Sequence, residues 1–342
     1  MHAIDLCIIN NMAAFIAFIF FIVGIGILLK GADWLVAGAS SIATIFKINP
    51  MVIGLTVVAF GTSAPELVVS ITSALAGNTD VTLGNIIGSN IANILLILGV
   101  TAIIYPLSVK KNTIWKEIPM SFLGACLLVV LALQEIIDNE KYASIYQNGN
   151  EIIGVLTRSN GIVLLFFFII FLYYTFGISK IDFEDGEFIQ KKKFSVSILL
   201  LILGMSGLVL GSNLMVDNGV KLAKIFGVSD ALIGLTLVAI GTSLPELVTS
   251  VVAALKKRVD IAVGNVVGSN IFNIFFVLGM TTLIKPIPLA ANYIVDIAVL
   301  FGATILLFGS LFVMRKQVLG KTEGAIMLIV YFSYLGFLIV RG

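Results

Sequence analysis

Charge is scarce in this chain. Asp, Glu, Lys and Arg make up only 12% of its 342 residues, while hydrophobic residues make up 59%. A soluble domain of this length does not carry so little charge, so a water-soluble fold is excluded. Histidine is scarcer still. His2 is the only one, which excludes a histidine-based zinc site or catalytic triad. The two cysteines, Cys7 and Cys126, lie too far apart for metal-ligand spacing and read as ordinary apolar filler. No Lys- or Arg-rich run is long enough for nucleic acid, and a formal net charge of +2 points to no partner. Residues 1–12 hold no Lys or Arg and lead into a long apolar run. That is the wrong shape for a cleaved signal peptide, so the segment is read as leading into a first span.

What remains is a polytopic helical membrane protein. A span needs about 20 apolar residues. Ten candidates follow, at about 13–32, 49–76, 82–105, 117–137, 160–178, 195–218, 230–255, 261–284, 290–313 and 322–340. The longest hydrophilic connection is 138–159, where Asn148-Gly149 suits a small hairpin. The next is 179–194, acidic first (Asp182, Glu184, Asp185, Glu187) and then basic (Lys191, Lys192, Lys193). The acidic run reads as a solvated loop rather than a cation site. Neither connection is long enough for a folded regulatory domain.

One sequence occurs twice. Gly54-Leu55-Thr56-Val57-Val58-Ala59-Phe60-Gly61-Thr62-Ser63-Ala64-Pro65-Glu66 returns 180 residues later as Gly234 to Glu246, and the match resumes without a gap. Gly84-Asn85-Ile86-Ile87-Gly88-Ser89-Asn90-Ile91-Ala92-Asn93 aligns with Gly264-Asn265-Val266-Val267-Gly268-Ser269-Asn270-Ile271-Phe272-Asn273, and Pro106 with Pro286. Asp33 and Asn213 also align, but only one is charged, and neither is counted in the site. Matching spans are five apart. Five is odd, so the halves are expected to face opposite ways, as residues 1–178 and 195–342 joined by a cytoplasmic linker at 179–194. The charges agree. The turn Gly77-Asn78-Thr79-Asp80 has no base, whereas its counterpart reads Lys256-Lys257-Arg258-Val259-Asp260. The positive-inside rule puts the second in the cytoplasm and the first outside, with both termini outside. Lys110/Lys111/Lys116, Lys191–Lys193 and Arg315/Lys316/Lys321 then all fall inside.

Each copy sets a proline and a carboxylate in an apolar stretch. A carboxylate at bilayer depth is costly and marks a functional site. A proline there frees backbone carbonyls. Paired broken helices in the two halves of a chain point to an ion site at the midplane. Glu66 and Glu246 together neutralise one divalent ion. Thr62, Ser63, Thr242 and Ser243 offer hydroxyls, and carbonyls near Ala59–Thr62 and Ala239–Thr242 offer further oxygens. Asn93 and Asn273 add amide oxygens, with Ser89 and Ser269 one turn earlier on the same face. An all-oxygen set favours Ca²⁺, Na⁺ or Mg²⁺ over transition metals. The alternative for each hydroxyl and amide is helix packing, since small polar residues also join helices.

The two Gly-Thr-Ser-x-Pro-Glu segments, each followed by Gly-Asn-x-x-Gly-Ser-Asn-x-x-Asn, resemble the paired α-repeats of the sodium/calcium exchangers. The resemblance covers about 53 residues in each half, 54–106 and 234–286. It implies ten helices in a five-plus-five inverted fold, with Glu66 and Glu246 shared between Ca²⁺ and Na⁺. It implies one Na⁺ site from Ala59, Thr62 and Ser63 with Ser269, and a mirror image from Ala239, Thr242 and Ser243 with Ser89. Asn93 and Asn273 complete the centre. Potassium-dependent members carry Asp at the position of Asn273, so its absence here argues against K⁺ co-transport. The proton-coupled branch has a different Gly-Asn-x-x-Glu step, which leaves proton/calcium exchange as the alternative. An intramembrane protease would not need duplicated Thr-Ser steps, and a channel would usually draw its acid ring from several subunits. The expected partners are the two cations and the lipid bilayer of a cell membrane. No cofactor, enzymatic activity or protein partner is implied.

Overall fold

The computed structural model of the chain describes residues 2–109, 117–134, 145–147, 150–178, 192–226, 239–311 and 317–341. It is almost wholly helical. Helices long and apolar enough to cross a membrane are Ala14–Phe46, Thr79–Ile104, Arg158–Gly177, Phe194–Ile225, Val259–Ile284 and Lys321–Arg341. A bent pair, Pro50–Thr62 and Ala64–Ala76, makes another span, and shorter apolar helices run over Glu117–Ala132, Leu244–Leu255 and Tyr293–Gly309. Phe15, Phe18, Phe166, Phe176 and Phe332 are each more than half exposed on outer helices. That is the surface expected of helices facing lipid.

Burial sorts the helices into a centre and a shell. The most apolar stretch of Val259–Ile284 is 94% buried and that of Thr79–Ile104 is 78% buried, against 22% for the first and last helices. The two central helices are the ones carrying the duplicated Asn and Ser residues. Around them lie the broken helices. Outside runs the first helix (His2–Phe46), packed along its length against Phe194–Ile225. This pair meets backbone to backbone. A Cβ at Gly31 would lie 2.7 Å from the Leu208 amide nitrogen, and one at Gly211 would lie 2.5 Å from that of Leu28. Gly24, Gly31 and Gly38 recur every seven residues, which keeps them on one helix face.

The first helix runs to Phe46, well past the span expected at 13–32. Asp33 interrupts the apolar pattern without breaking the helix. Its carboxylate is paired with Lys256 at 2.5 Å and with Lys30 at 3.5 Å, so it lies on the helix side rather than at an end. The other predicted intervals each hold helix where the residues are described. Residues 227–238, and with them the copy of Gly54–Val58, lie outside the described residues, as do the acidic run 182–187 and, of the connection 138–159, residues 138–144 and 148–149.

Short strands fasten the helix ends. β1 (Leu107–Ser108) and β4 (Ile287–Ala290) follow the two central helices at equivalent positions. β1 pairs antiparallel with β5 (Val318–Leu319), matching Leu107 to Leu319. β4 pairs with β3 (Asn150–Leu156), which also pairs with β2 (Ile145–Gln147). β2 and β3 flank Asn148-Gly149, the dipeptide expected to close a hairpin. Each half thus lends a strand to an edge supplied by the other.

Candidate functional site

The two Gly-Thr-Ser-x-Pro-Glu segments fold alike. Helix stops at Thr62 and at Thr242, and new helices run over Ala64–Ala76 and Leu244–Leu255. Between them Ser63 has φ −86° and ψ 7°, and Ser243 has φ −88° and ψ 3°. This is the sparsely populated bridge region, where many functional residues sit. The break bends the first pair by 45°. Pro65 and Pro245 stand in the first turn of the new helices, where a missing N–H costs nothing. Glu66 and Glu246 stand in the same turns, where the helix dipole favours a negative charge.

Both carboxylates are about 1% exposed. Ser63, from the first half, donates to Glu246 Oε1 of the second half at 2.8 Å. Ser269 reaches the same oxygen at 3.4 Å. Thr62 donates to Asn265 Oδ1 at 3.0 Å and to the Ala59 carbonyl at 3.3 Å. Thr242 lies 3.5 Å from Asn85 Oδ1. Asn93 Nδ2 donates to Asn270 Oδ1 at 3.0 Å, and Asn270 Nδ2 to the Asn90 carbonyl at 3.4 Å. Residues more than 170 positions apart therefore meet at one buried centre.

The helices explain how they meet. The Glu66 helix packs on the segment Phe272–Leu278, which holds Asn273, and the Glu246 helix packs on Ala92–Ile97, which holds Asn93. Both segments are π-helical, a local widening that recurs at functional sites. Gly268 lets the central helix of the second half lie on the first broken helix; a Cβ there would come within 2.6 Å of the Leu55 carbonyl oxygen.

Of the twelve predicted site residues, Ala59, Thr62, Ser63, Glu66, Ser89, Asn93, Ser243, Glu246, Ser269 and Asn273 are buried. Thr242 is half-buried, and Ala239 opens the short helix Ala239–Thr242. Six buried polar atoms among them have no hydrogen-bond partner among the described residues: Glu66 Oε2, Glu246 Oε2, Asn93 Oδ1, Ser243 Oγ, and both Nδ2 and Oδ1 of Asn273. Buried polar groups are nearly always paired, so such a cluster marks a place prepared for something else. Five of the six are acceptors or can act as one, which suits a cation. Among the described residues no three His, Cys, Asp or Glu side chains gather in one place. A cation here would draw on two carboxylates and on neutral oxygens, the donor set of hard ions.

Two carbonyls near the breaks already accept a hydrogen bond. Pro245 leaves the Gly241 carbonyl without its helical donor, and Ser212 takes it at 2.8 Å. Ala59 already accepts from the Ser63 amide at 2.9 Å.

The family model described as "Sodium/calcium exchanger protein" matches residues 16–177 and 196–340. The chain belongs to the sodium/calcium exchanger family. This exchanger is 40% identical over 330 residues to the CaxA protein of Alkalimonas amylolytica, covering 93% of this chain and 97% of that one. It is 30% identical over 347 residues to the sodium/calcium exchanger MaX1 of Methanosarcina acetivorans, covering 93% and 97%. Its fold is similar to that of the sodium-calcium exchanger NCX_Mj soaked with 10 mM Na⁺ and no Ca²⁺. There the TM-score is 0.79, with 33% identity over 94% of this chain and 99% of that one. The family is one of membrane transporters, so this exchanger is not an enzyme, and the family implies no cofactor.

Sequence reading passed over Asn85 and Asn265 as members of a motif without a role. The geometry gives each three hydrogen bonds inside the site. Their recurrence at the 180-residue offset was the available signal.

Proposed function

We propose that this chain exchanges Na⁺ for Ca²⁺ by alternating access, at a site formed by Glu66, Glu246, Thr62, Ser63, Thr242, Ser243, Ser89, Ser269, Asn93, Asn273 and the backbone at Ala59 and Ala239. The observation that carries the reading is the pair of buried carboxylates, each with a free oxygen, drawn from opposite halves, with Ser63 of the first half donating to Glu246 of the second. Without a cation, two charges in a dry centre make an expensive state to carry through a conformational switch. One Ca²⁺, or several Na⁺, neutralises them and lowers that barrier. The two ions compete for the same carboxylates, and that competition is the coupling.

Three finer points follow from the same site. Asn273 supplies no carboxylate, which favours exchange without K⁺. If three Na⁺ exchange for one Ca²⁺, one charge moves per cycle, and the membrane potential adds about 2.3 kcal/mol per 100 mV. The basic turn Lys256–Arg258 favours a cytoplasmic position and the uncharged Gly77–Thr79 an outer one, so the halves are inverted repeats of five helices in a cell membrane with both termini outside. The test is Ca²⁺ uptake into vesicles of the purified protein. Uptake is expected with an outward Na⁺ gradient and no K⁺. Robust uptake with a pH gradient and no Na⁺ would favour proton coupling instead, and an absolute K⁺ requirement would contradict the role given to Asn273.

A further inference from the structure

Asn265 is fully buried, and its amide is fully used. Nδ2 donates to the Ser250 hydroxyl at 2.9 Å and to the Glu246 carbonyl at 3.3 Å, while Oδ1 accepts from Thr62 at 3.0 Å. Asn85 repeats the pattern in the other half. Nδ2 donates to Ser70 at 2.9 Å and to the Glu66 carbonyl at 3.1 Å, and Oδ1 faces the Thr242 hydroxyl at 3.5 Å. Turning either amide over would set its oxygen against a carbonyl and waste a donor, so the partners fix its orientation.

From this geometry we infer that Asn85 and Asn265 are positioning residues, each tying the carboxylate helix of its own half to the threonine of the other and aiming that threonine's hydroxyl oxygen at the ion. A hydroxyl ligates a cation through its lone pairs, so its hydrogen must point away. Asn265 Oδ1 at 3.0 Å, nearer than the competing Ala59 carbonyl at 3.3 Å, provides the acceptor that holds the Thr62 hydrogen, as outer partners orient ligands at metal sites. The Nδ2 bond to the Glu246 carbonyl sets the height of the carboxylate against that hydroxyl. One amide thereby fixes the spacing of two ligands that no backbone connects. The two clasps differ in tightness. The Asn265 clasp is buried and short, whereas Asn85 and Thr242 are half-buried and farther apart.

The inference rests on the proposed ion exchange, and its test keeps the two separable. Ca²⁺ binding to the purified protein in detergent is titrated for the parent, Glu66→Gln, Asn265→Ala, Thr62→Ala and the double variant, with folding checked by gel filtration. Asn265→Ala is expected to bind Ca²⁺ about tenfold more weakly, the loss of roughly one buried hydrogen bond. In vesicles the rise should fall on KM, with little change in kcat. If Asn265 acts through Thr62, the double variant loses much less than the product of the single losses. Unchanged affinity in a folded Asn265→Ala, or fully multiplicative losses, would overturn the inference. A residue important only for folding would lower the yield of active protein and leave KM alone. If Asn265→Ala does not fold, Asn85→Ala with Thr242→Ala is judged by the same criteria, with a smaller expected loss. A parent that neither binds nor exchanges Ca²⁺ would sink the function itself and this inference with it.

Discussion

The two copies of the motif agree at the site and disagree at its edges. Ser63 and Ser243 share one backbone conformation, and Asn85 and Asn265 make the same three contacts. The ties to the surrounding helices differ. Lys256 at the end of the Glu246 helix pairs with Asp33 of the first helix, whereas the equivalent positions are Ala76 and Asn213. Ser212 caps the Gly241 carbonyl, whereas its equivalent Ala32 has no hydroxyl to offer Gly61. The first-half turn is fastened elsewhere: Tyr293 donates to the Asp80 carbonyl at 2.8 Å. Close by along the same helix, Asp296 is held by Tyr334 and by both terminal nitrogens of Arg341. The Glu246 helix is thus bound to the paired outer helices, and the first-half turn to the helix Tyr293–Gly309. Chemistry that must serve one ion demands matched ligands. The scaffold that moves around that ion has no such requirement.

The comparison can be broken most sharply at the carboxylates. Glu66→Gln and Glu246→Gln should each abolish Ca²⁺ exchange, because one remaining charge cannot neutralise a divalent ion. Both proteins should still fold, since Gln keeps the shape. Near-normal Ca²⁺ flux in either variant would mean that the halves are not equivalent at the site. Next comes the topology. With Cys7 and Cys126 removed, a cysteine at Asn78 should react with an impermeant reagent from outside, and one at Lys257 only from the cytoplasmic side. Labelling of both from one face would remove the inversion.

Smaller effects probe the edges. Ser212→Ala leaves a buried carbonyl without its donor and should cost about 1–3 kcal/mol, read as a lowered denaturation midpoint. No loss would mean that another donor takes over the Gly241 oxygen. Asp33→Asn makes the edges of the two halves more alike. It removes an ion pair whose side chains are 37% and 39% exposed, so the loss should stay below about 1 kcal/mol and shrink with added salt. A loss of several kcal/mol would make this tie a main support of the fold.

Much of this was legible before any coordinates. The polytopic helical character follows from apolar run length, because a bilayer sets a minimum length for a crossing helix. Glu66 and Glu246 stood out because nothing else in their surroundings justifies a charge. The first span was expected to end at residue 32, just before Asp33, whereas the helix continues to Phe46. The partner of Asp33, Lys256, lies 223 positions away, and no local pattern reveals a neighbour that distant. The partner of the Gly241 carbonyl was hidden for the same reason, since that oxygen accepts from a serine on another helix.

The sequence by itself determined the membrane setting, the duplication and which buried polar residues to propose as ligands. Hydrophobic length, proline chemistry and the cost of a buried carboxylate are properties of short segments. Only the tertiary structure decided which oxygens stay free and which are already spent. It also decided that Asn85 and Asn265 each clasp a threonine from the opposite half. Those outcomes depend on which helices touch, and a hydrogen bond is made or lost over a few tenths of an ångström that no spacing in the chain encodes.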